Sequence, residues 1–246
     1  AKRLLDEQAH HSPLHITHHS DRTSERVASE SIARPHHGEY AAIQRGHKHI
    51  RRGQGCPCAG PLQPAAGKNA AAVLTFCADF NRFSKWCECR QAEPCYDNLQ
   101  SFVAAAIDTI AFAQQFNTLA EDAGLGCCWL GTTTYNAPQI AEILQLPTLV
   151  VPVITLTVGY PDEDGTDVGR LPVDAIIHNG KYHDYPPADI DRLYAEKEAR
   201  PDSEAFVKEN GKQTLAQVFT DVRYPRKNNE LFSDIFRSFL QKAKFI

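Results

Sequence analysis

Methionine is missing altogether from the 246 residues, and tryptophan occurs only twice. No apolar run is long enough to cross a bilayer as a helix. The longest apolar segment, LVVPVITLTVGY, carries a proline and two threonines and reads as a buried strand instead. An excess of positive charge is also lacking: the formal net charge is −4, which excludes the broad basic footprint of a nucleic-acid binder. No glycine-rich dinucleotide fingerprint is present, so a preference for NADH or NADPH cannot be read from the chain. No secretory leader opens it, and the expectation is a cytoplasmic protein without nucleic-acid or membrane partners. A chain of this length without methionine also points to a beginning that is not natural.

What is there includes eight cysteines, at 56, 58, 77, 87, 89, 95, 127 and 128. Cys77 sits inside an apolar run and Cys127 adjoins Cys128, an awkward geometry for bridging. The spacing in KWCECRQAEPC matches no common zinc motif. Reduced thiols are expected, with no metal ligand among them.

From about Ala71 the local signals agree. AAVLTFCAD (71–79) has the composition of a buried strand. A long helix follows, with apolar residues at Phe102, Ala106, Ile110, Ala113, Phe116, Leu119 and Ala120. Asp97 or Asn98 is placed to cap its start, and Gly124 to stop it. Its small, alanine-rich face predicts packing against something close, such as another helix. CCWLGT reads as a strand, and residues 136–146 as a helix with Pro138 in the first turn. Beyond Arg170 the chain becomes charged and helical, and only its last segment is strongly amphipathic, through Leu231, Phe232, Ile235, Phe236 and Phe239.

This order of elements, with GLGCCWLG, a strand ending VGYP, a downstream arginine and LPVDAIIH, resembles the FMN-dependent nitroreductase family over about residues 71–183. The resemblance implies an α+β fold: a mainly antiparallel sheet flanked by helices, homodimeric, with FMN at the interface. It also implies NAD(P)H as co-substrate and a small-molecule acceptor such as a nitro compound or quinone, reduced by a ping-pong hydride mechanism. Cofactor-binding residues carried over are Cys128, Trp129, Leu130 and Gly131 beside the flavin ring and Arg170 at its phosphate. The family's first basic residue before that arginine is absent, since Val168 stands there. No residue is assigned as catalytic, because flavin carries such chemistry. His178 is as readily a structural histidine as a site residue.

Residues 1–65 show none of this order. Nine of eleven histidines and seven arginines lie in the first 64 residues, and no window has a clean period. The family's N-terminal phosphate and flavin motifs are not there as written. Read one base later with permitted wobble choices, Gln8–Thr17 can become RRTIRHYT, Ala33–His47 RAPTTGNMQLYSVV, and Gly55–Ala66 AALAPAHFNQP. Residues 9–65 therefore look like an out-of-frame reading of the family's N-terminus. A disordered histidine-rich leader and a metal-binding tail are the alternatives. The expected organisation is an aberrant or disordered segment 1–65, a core 66–183, and a helical arm 184–246 wrapping the partner subunit. Two rival functions stay open: a degenerate, non-catalytic flavin binder, and a Cys/His-rich metal-binding protein.

Overall fold

The computed structural model describes residues 70–161, 165 and 169–246 in full, and the backbones of two short strands before them. These strands are β1 (Leu14–His15) and β2 (Ala41–Arg45). The remaining readings for residues 9–65, the frame slip and the histidine-rich tail included, lie outside the described residues. The chain forms two compact units, Ala1–Thr166 with Asp234–Ile246, and Asp167–Ser233.

The first unit is built on an antiparallel sheet. β3 (Ala72–Asp79) pairs with β2 on one side and β5 (Val150–Pro161) on the other, and β5 also takes β1 and β4 (Gly126–Leu130). β2 forms although its sequence shows no alternation, because pairing runs through the backbone along β3. Proline is rare in a central strand, since it has no N–H to give to the ladder. Pro152 is accommodated where the β3–β5 register slips, Phe76 facing Ile154 and Cys77 facing Pro152.

On this sheet lies α2 (Leu99–Asp122). Asn98 caps it, its side-chain oxygen accepting from the Ser101 N–H at 3.0 Å. The far end closes in a Schellman arrangement: Leu125 N–H donates to Ala120 and Gly124 N–H to Glu121, with Gly124 at φ +79. Both caps agree with the sequence reading. The buried face does not in its first half. Ser101, Ala105 and Thr109 are buried where Phe102, Ala106 and Ile110 were expected. Small side chains let the helix approach the sheet closely enough for the Thr109 hydroxyl to reach the Cys77 carbonyl at 3.2 Å. Larger ones would hold it away. The small face thus meets the sheet, with helix neighbours only toward its N-terminal end.

Among the described residues, two clusters form the core. In one, Phe76 packs edge to face with Phe112 and Phe116, at centroid distances of 6.0 and 5.9 Å, together with Leu119, Leu156 and Val158. In the other, Ala105 meets α3 (Ala137–Leu144) and the end of α6 (Arg226–Lys242), through Ala137, Ala141, Phe239, Leu240 and Phe245. Asp234–Ile246, expected to end an arm, belong to this first unit, because Phe239, Leu240, Ala243 and Phe245 are buried there. A shorter helix, α1 (Asn81–Glu88), follows β3. The second unit holds α4 (Pro187–Glu198), α5 (Pro201–Glu209), a π-helical turn at Val218–Arg223 and the first turns of α6. No described helix is long and apolar enough to cross a membrane.

Phe76→Ala is expected to cost about 3–5 kcal/mol of unfolding free energy, and Asn98→Ala about 1 kcal/mol. Urea unfolding measures both. An unchanged midpoint for Phe76→Ala would remove the wedge from its central place in the core.

Candidate functional site

The left-handed Gly124 ends α2 and turns the chain straight into β4, so the helix stop sets where the candidate segment begins. Along β4, Cys127 is buried, Cys128, Trp129 and Leu130 are half-buried, and Gly131 is exposed just past the strand. Trp129 packs against the first core cluster. The Thr157 hydroxyl donates to the Cys128 carbonyl at 3.4 Å, and Thr133 to the Leu130 carbonyl at 3.0 Å. Both ends of the Cys128–Leu130 backbone are therefore held.

Two features test whether these residues fit a flat heterocycle. Among the described residues β4 pairs with β5 alone, so its outer edge presents backbone donors and acceptors. Gly131 is also not demanded by its surroundings. Its φ is not positive, and a Cβ there would meet nothing within 4 Å. Neither strain nor neighbours explains the glycine, whereas an aromatic ring lying against the backbone would. The residues fit.

Burial disfavours the thiolate form of the cysteines in this part of the sheet. Burial, with the Glu121 carboxylate and then Cys128 adding to it, pushes Cys127 up to about 12. Cys128 is also raised by burial, partly offset by its hydrogen bond to Thr157. Cys77 is pushed up to about 12 by burial, with Asp79 a smaller cause. Among the described residues no cluster of His, Cys, Asp or Glu could hold a metal.

Arg170 belongs to the second unit, where it is exposed. Its neighbour Gly169 has φ +65, and a Cβ there would come within 2.8 Å of an Arg200 guanidinium nitrogen. Glycine is thus required twice over at 169, by backbone conformation and by the arginine lying across it. Arg200 donates through Nε to Asp202 at 3.0 Å and through a terminal nitrogen at 3.4 Å. That hydrogen bond holds the Asp202 carboxyl below its ordinary value. Asp202 also accepts from the Ser203 N–H at 3.1 Å, in the first turn of α5. Sequence reading passed over Arg200, and the only local signal for it is the RPDS helix start.

His178 has a structural role. Its Nδ1 accepts from the His183 N–H at 3.3 Å, which places the ring proton on Nε2, facing Tyr185 Oη at 3.1 Å. Tyr185 in turn donates to the Ala175 carbonyl at 2.8 Å, closing the loop.

Comparison with known proteins meets this geometry from three sides. The Nitroreductase family profile matches residues 90–160, from the end of α1 to the end of β5. A crystal structure of an inferred oxidoreductase from Bacteroides fragilis is 41% identical, covers 99% of both chains and superposes with a TM-score of 0.91. The chain belongs to the nitroreductase family. An NADPH-dependent oxidoreductase of Staphylococcus aureus is 37% identical over 106 residues, 42% of this chain and 41% of its own length. The chain spans about half the length, or less, of the curated relatives it matches. The NADPH:FMN oxidoreductase of Vibrio harveyi, solved with NAD+, shares the fold at a TM-score of 0.63 and 22% identity, over 89% of this chain and 94% of that one. The α+β, mainly antiparallel fold read from the sequence is the fold observed.

Thiol reactivity should follow this geometry. With iodoacetamide at pH 8, Cys89 and Cys95, both exposed, are expected to alkylate within minutes. Cys77 and Cys127 should label only after denaturation, since almost none of either is thiolate below pH 10. Peptide mass spectrometry reads the order. Native labelling of Cys127 would show that β4 is not packed as described.

Proposed function

We propose that this nitroreductase-family chain is an FMN-dependent oxidoreductase that uses NAD(P)H to reduce nitro compounds, quinones or related small acceptors. One observation carries the reading: β4, paired among the described residues with β5 alone, ends at a glycine that neither backbone strain nor close neighbours require. FMN, when bound, would supply the hydride chemistry, taking a hydride from the nicotinamide and passing electrons to the acceptor in alternate half-reactions. The backbone of Cys128–Gly131 would hydrogen-bond the polar edge of the ring, and fixed N–H groups there favour negative charge on a reduced ring. Trp129, packed into the core, keeps that backbone from shifting. Arg170 would bind the phosphate, where a guanidinium can make two parallel hydrogen bonds. No side chain is assigned a proton transfer. The names of the Staphylococcus and Vibrio proteins, both NADPH-using, support the nicotinamide as reductant.

The homodimer is part of the same proposal. On α2, Leu99, Val103, Ile107 and Ile110 stand 39–64% exposed at spacings of four, four and three, one apolar helix face. An isologous contact between two copies of α2 would cover it. A non-catalytic flavin binder is the second reading, favoured by the valine at 168 where the family's first basic residue stands.

The purified protein is expected to release FMN on denaturation, at about one per chain, and to oxidise NADPH or NADH in the presence of a nitroaromatic or quinone. Flavin without turnover would favour the non-catalytic reading, and no flavin would overturn both. In solution, light scattering should give twice the chain mass, and Ile107→Glu should shift it to the monomer. A wild-type monomer would sink the dimer.

A further inference from the structure

In the second unit two arginines lie at the turn around Gly169. Gly169 and Arg170 are adjacent, so their Cα atoms are about 3.8 Å apart. Arg200, thirty residues on, lays its guanidinium across Gly169: one terminal nitrogen comes within 2.8 Å of the position a Cβ would take, and Cδ and Cζ within 3.4 Å. One left-handed turn thus has Arg170 next to it in the chain and the Arg200 guanidinium lying across it. Arg200 is not a loose surface cation. Its side chain is only 25% exposed, against 64% for its partner Asp202, and two of its N–H groups are committed to that carboxylate. Asp202 is itself fixed by the Ser203 N–H in the first turn of α5. The guanidinium is therefore oriented before any ligand arrives, which lowers the entropic cost of using it.

We propose that Arg200 acts with Arg170 as a clamp for a phosphate monoester, Arg200 supplying the cation that is absent at position 168. The clamp rests on the flavin reading for its first candidate ligand, the terminal phosphate of FMN. The same chemistry is carried by the 2′-phosphate of NADPH. Gly169 belongs to the clamp because any side chain there would displace the Arg200 guanidinium. Asp202 is a positioning residue, since it acts through Arg200.

The test compares ligands that differ by one phosphate. FMN against riboflavin, and NADPH against NADH, are titrated by fluorescence on the wild-type protein, Arg200→Ala and Arg200→Lys. Loss of one hydrogen-bonded charge is expected to weaken FMN roughly 10- to 100-fold. Riboflavin should stay within about twofold, and Arg200→Lys should fall between because it keeps the charge but not the fork. If FMN is unchanged and NADPH weakens while NADH does not, the clamp stands and its ligand is the nicotinamide phosphate. Equal loss of FMN and riboflavin, or no change in any of the four, overturns it. Thermal melting accompanies each variant, and should Arg200→Ala unfold, the same comparison is made on Arg200→Lys. A wild-type chain that binds neither flavin refutes the flavin reading alone, and the clamp is then decided by NADPH against NADH.

Discussion

The approach of α2 to the sheet is the constraint on which the first unit depends. Phe76 projects from β3 between Phe112 and Phe116, and both rings meet it edge to face. That contact needs the helix close, and closeness needs the small residues Ser101, Ala105 and Thr109 beneath it. Thr109 resolves a conflict this creates. Its hydroxyl is fully buried, yet it donates to the Cys77 carbonyl across the interface and lies 2.7 Å from the Ala105 carbonyl on its own helix. A polar group placed there without partners would weaken the interface it now secures. The large apolar residues displaced from this face, Val103, Ile107 and Ile110, are left on the outer side of α2. One packing choice therefore produces both the core and the exposed stripe.

β5 turns that core into a scaffold for chemistry. As the central strand it receives β3 on one edge and β4 on the other, and the β3 register slips where Pro152 sits in it. β4 inherits its rigidity from β5, from Trp129 in the core, and from the hydroxyls of Thr157 and Thr133. Among the described residues, nothing pairs with its outer edge, and no neighbour requires Gly131. A rigid strand with open polar backbone is suited to holding a planar ligand in one orientation, which is what hydride transfer needs. The buried thiols of Cys77 and Cys127 add volume and no reactivity.

In the second unit the ordering principle is electrostatic instead of apolar. Asp202, at the start of α5, fixes Arg200, and Arg200 lies over the one residue type that leaves room for it, Gly169. The Lys212–Asp221 and Arg192–Asp174 pairs brace the surrounding turns at 2.9 and 2.8 Å, both at the surface, where such pairs are worth little singly. Arg200 is three-quarters covered, about as much as Lys212 and more than Arg192, and it holds its carboxylate through two N–H groups. A chain that lacks a cation at one position of a loop can present another from a helix start nearby in space.

What the sequence determined by itself was local. The strands at 72–79 and 150–161, the Asn98 cap, the Gly124 stop and the start of α3 at Pro138 follow from residue types acting on their immediate neighbours, and each appears as read. The strand at Gly126–Leu130 was legible because the helix stop and the strand after it lie in one continuous stretch. The buried face of α2 was not, since periodicity marks which residues are apolar and cannot tell that a close approach will favour small ones. The burial of Phe239, Leu240 and Phe245 was not legible for a related reason: they follow a long charged stretch, and only the tertiary fold brings them back to Ala105 and Ala141. Arg200 was invisible because its value lies in being near Gly169, and thirty residues of sequence carry no record of that distance. Local chemistry is written in the order of residues, while proximity between distant ones arises only when the chain has packed.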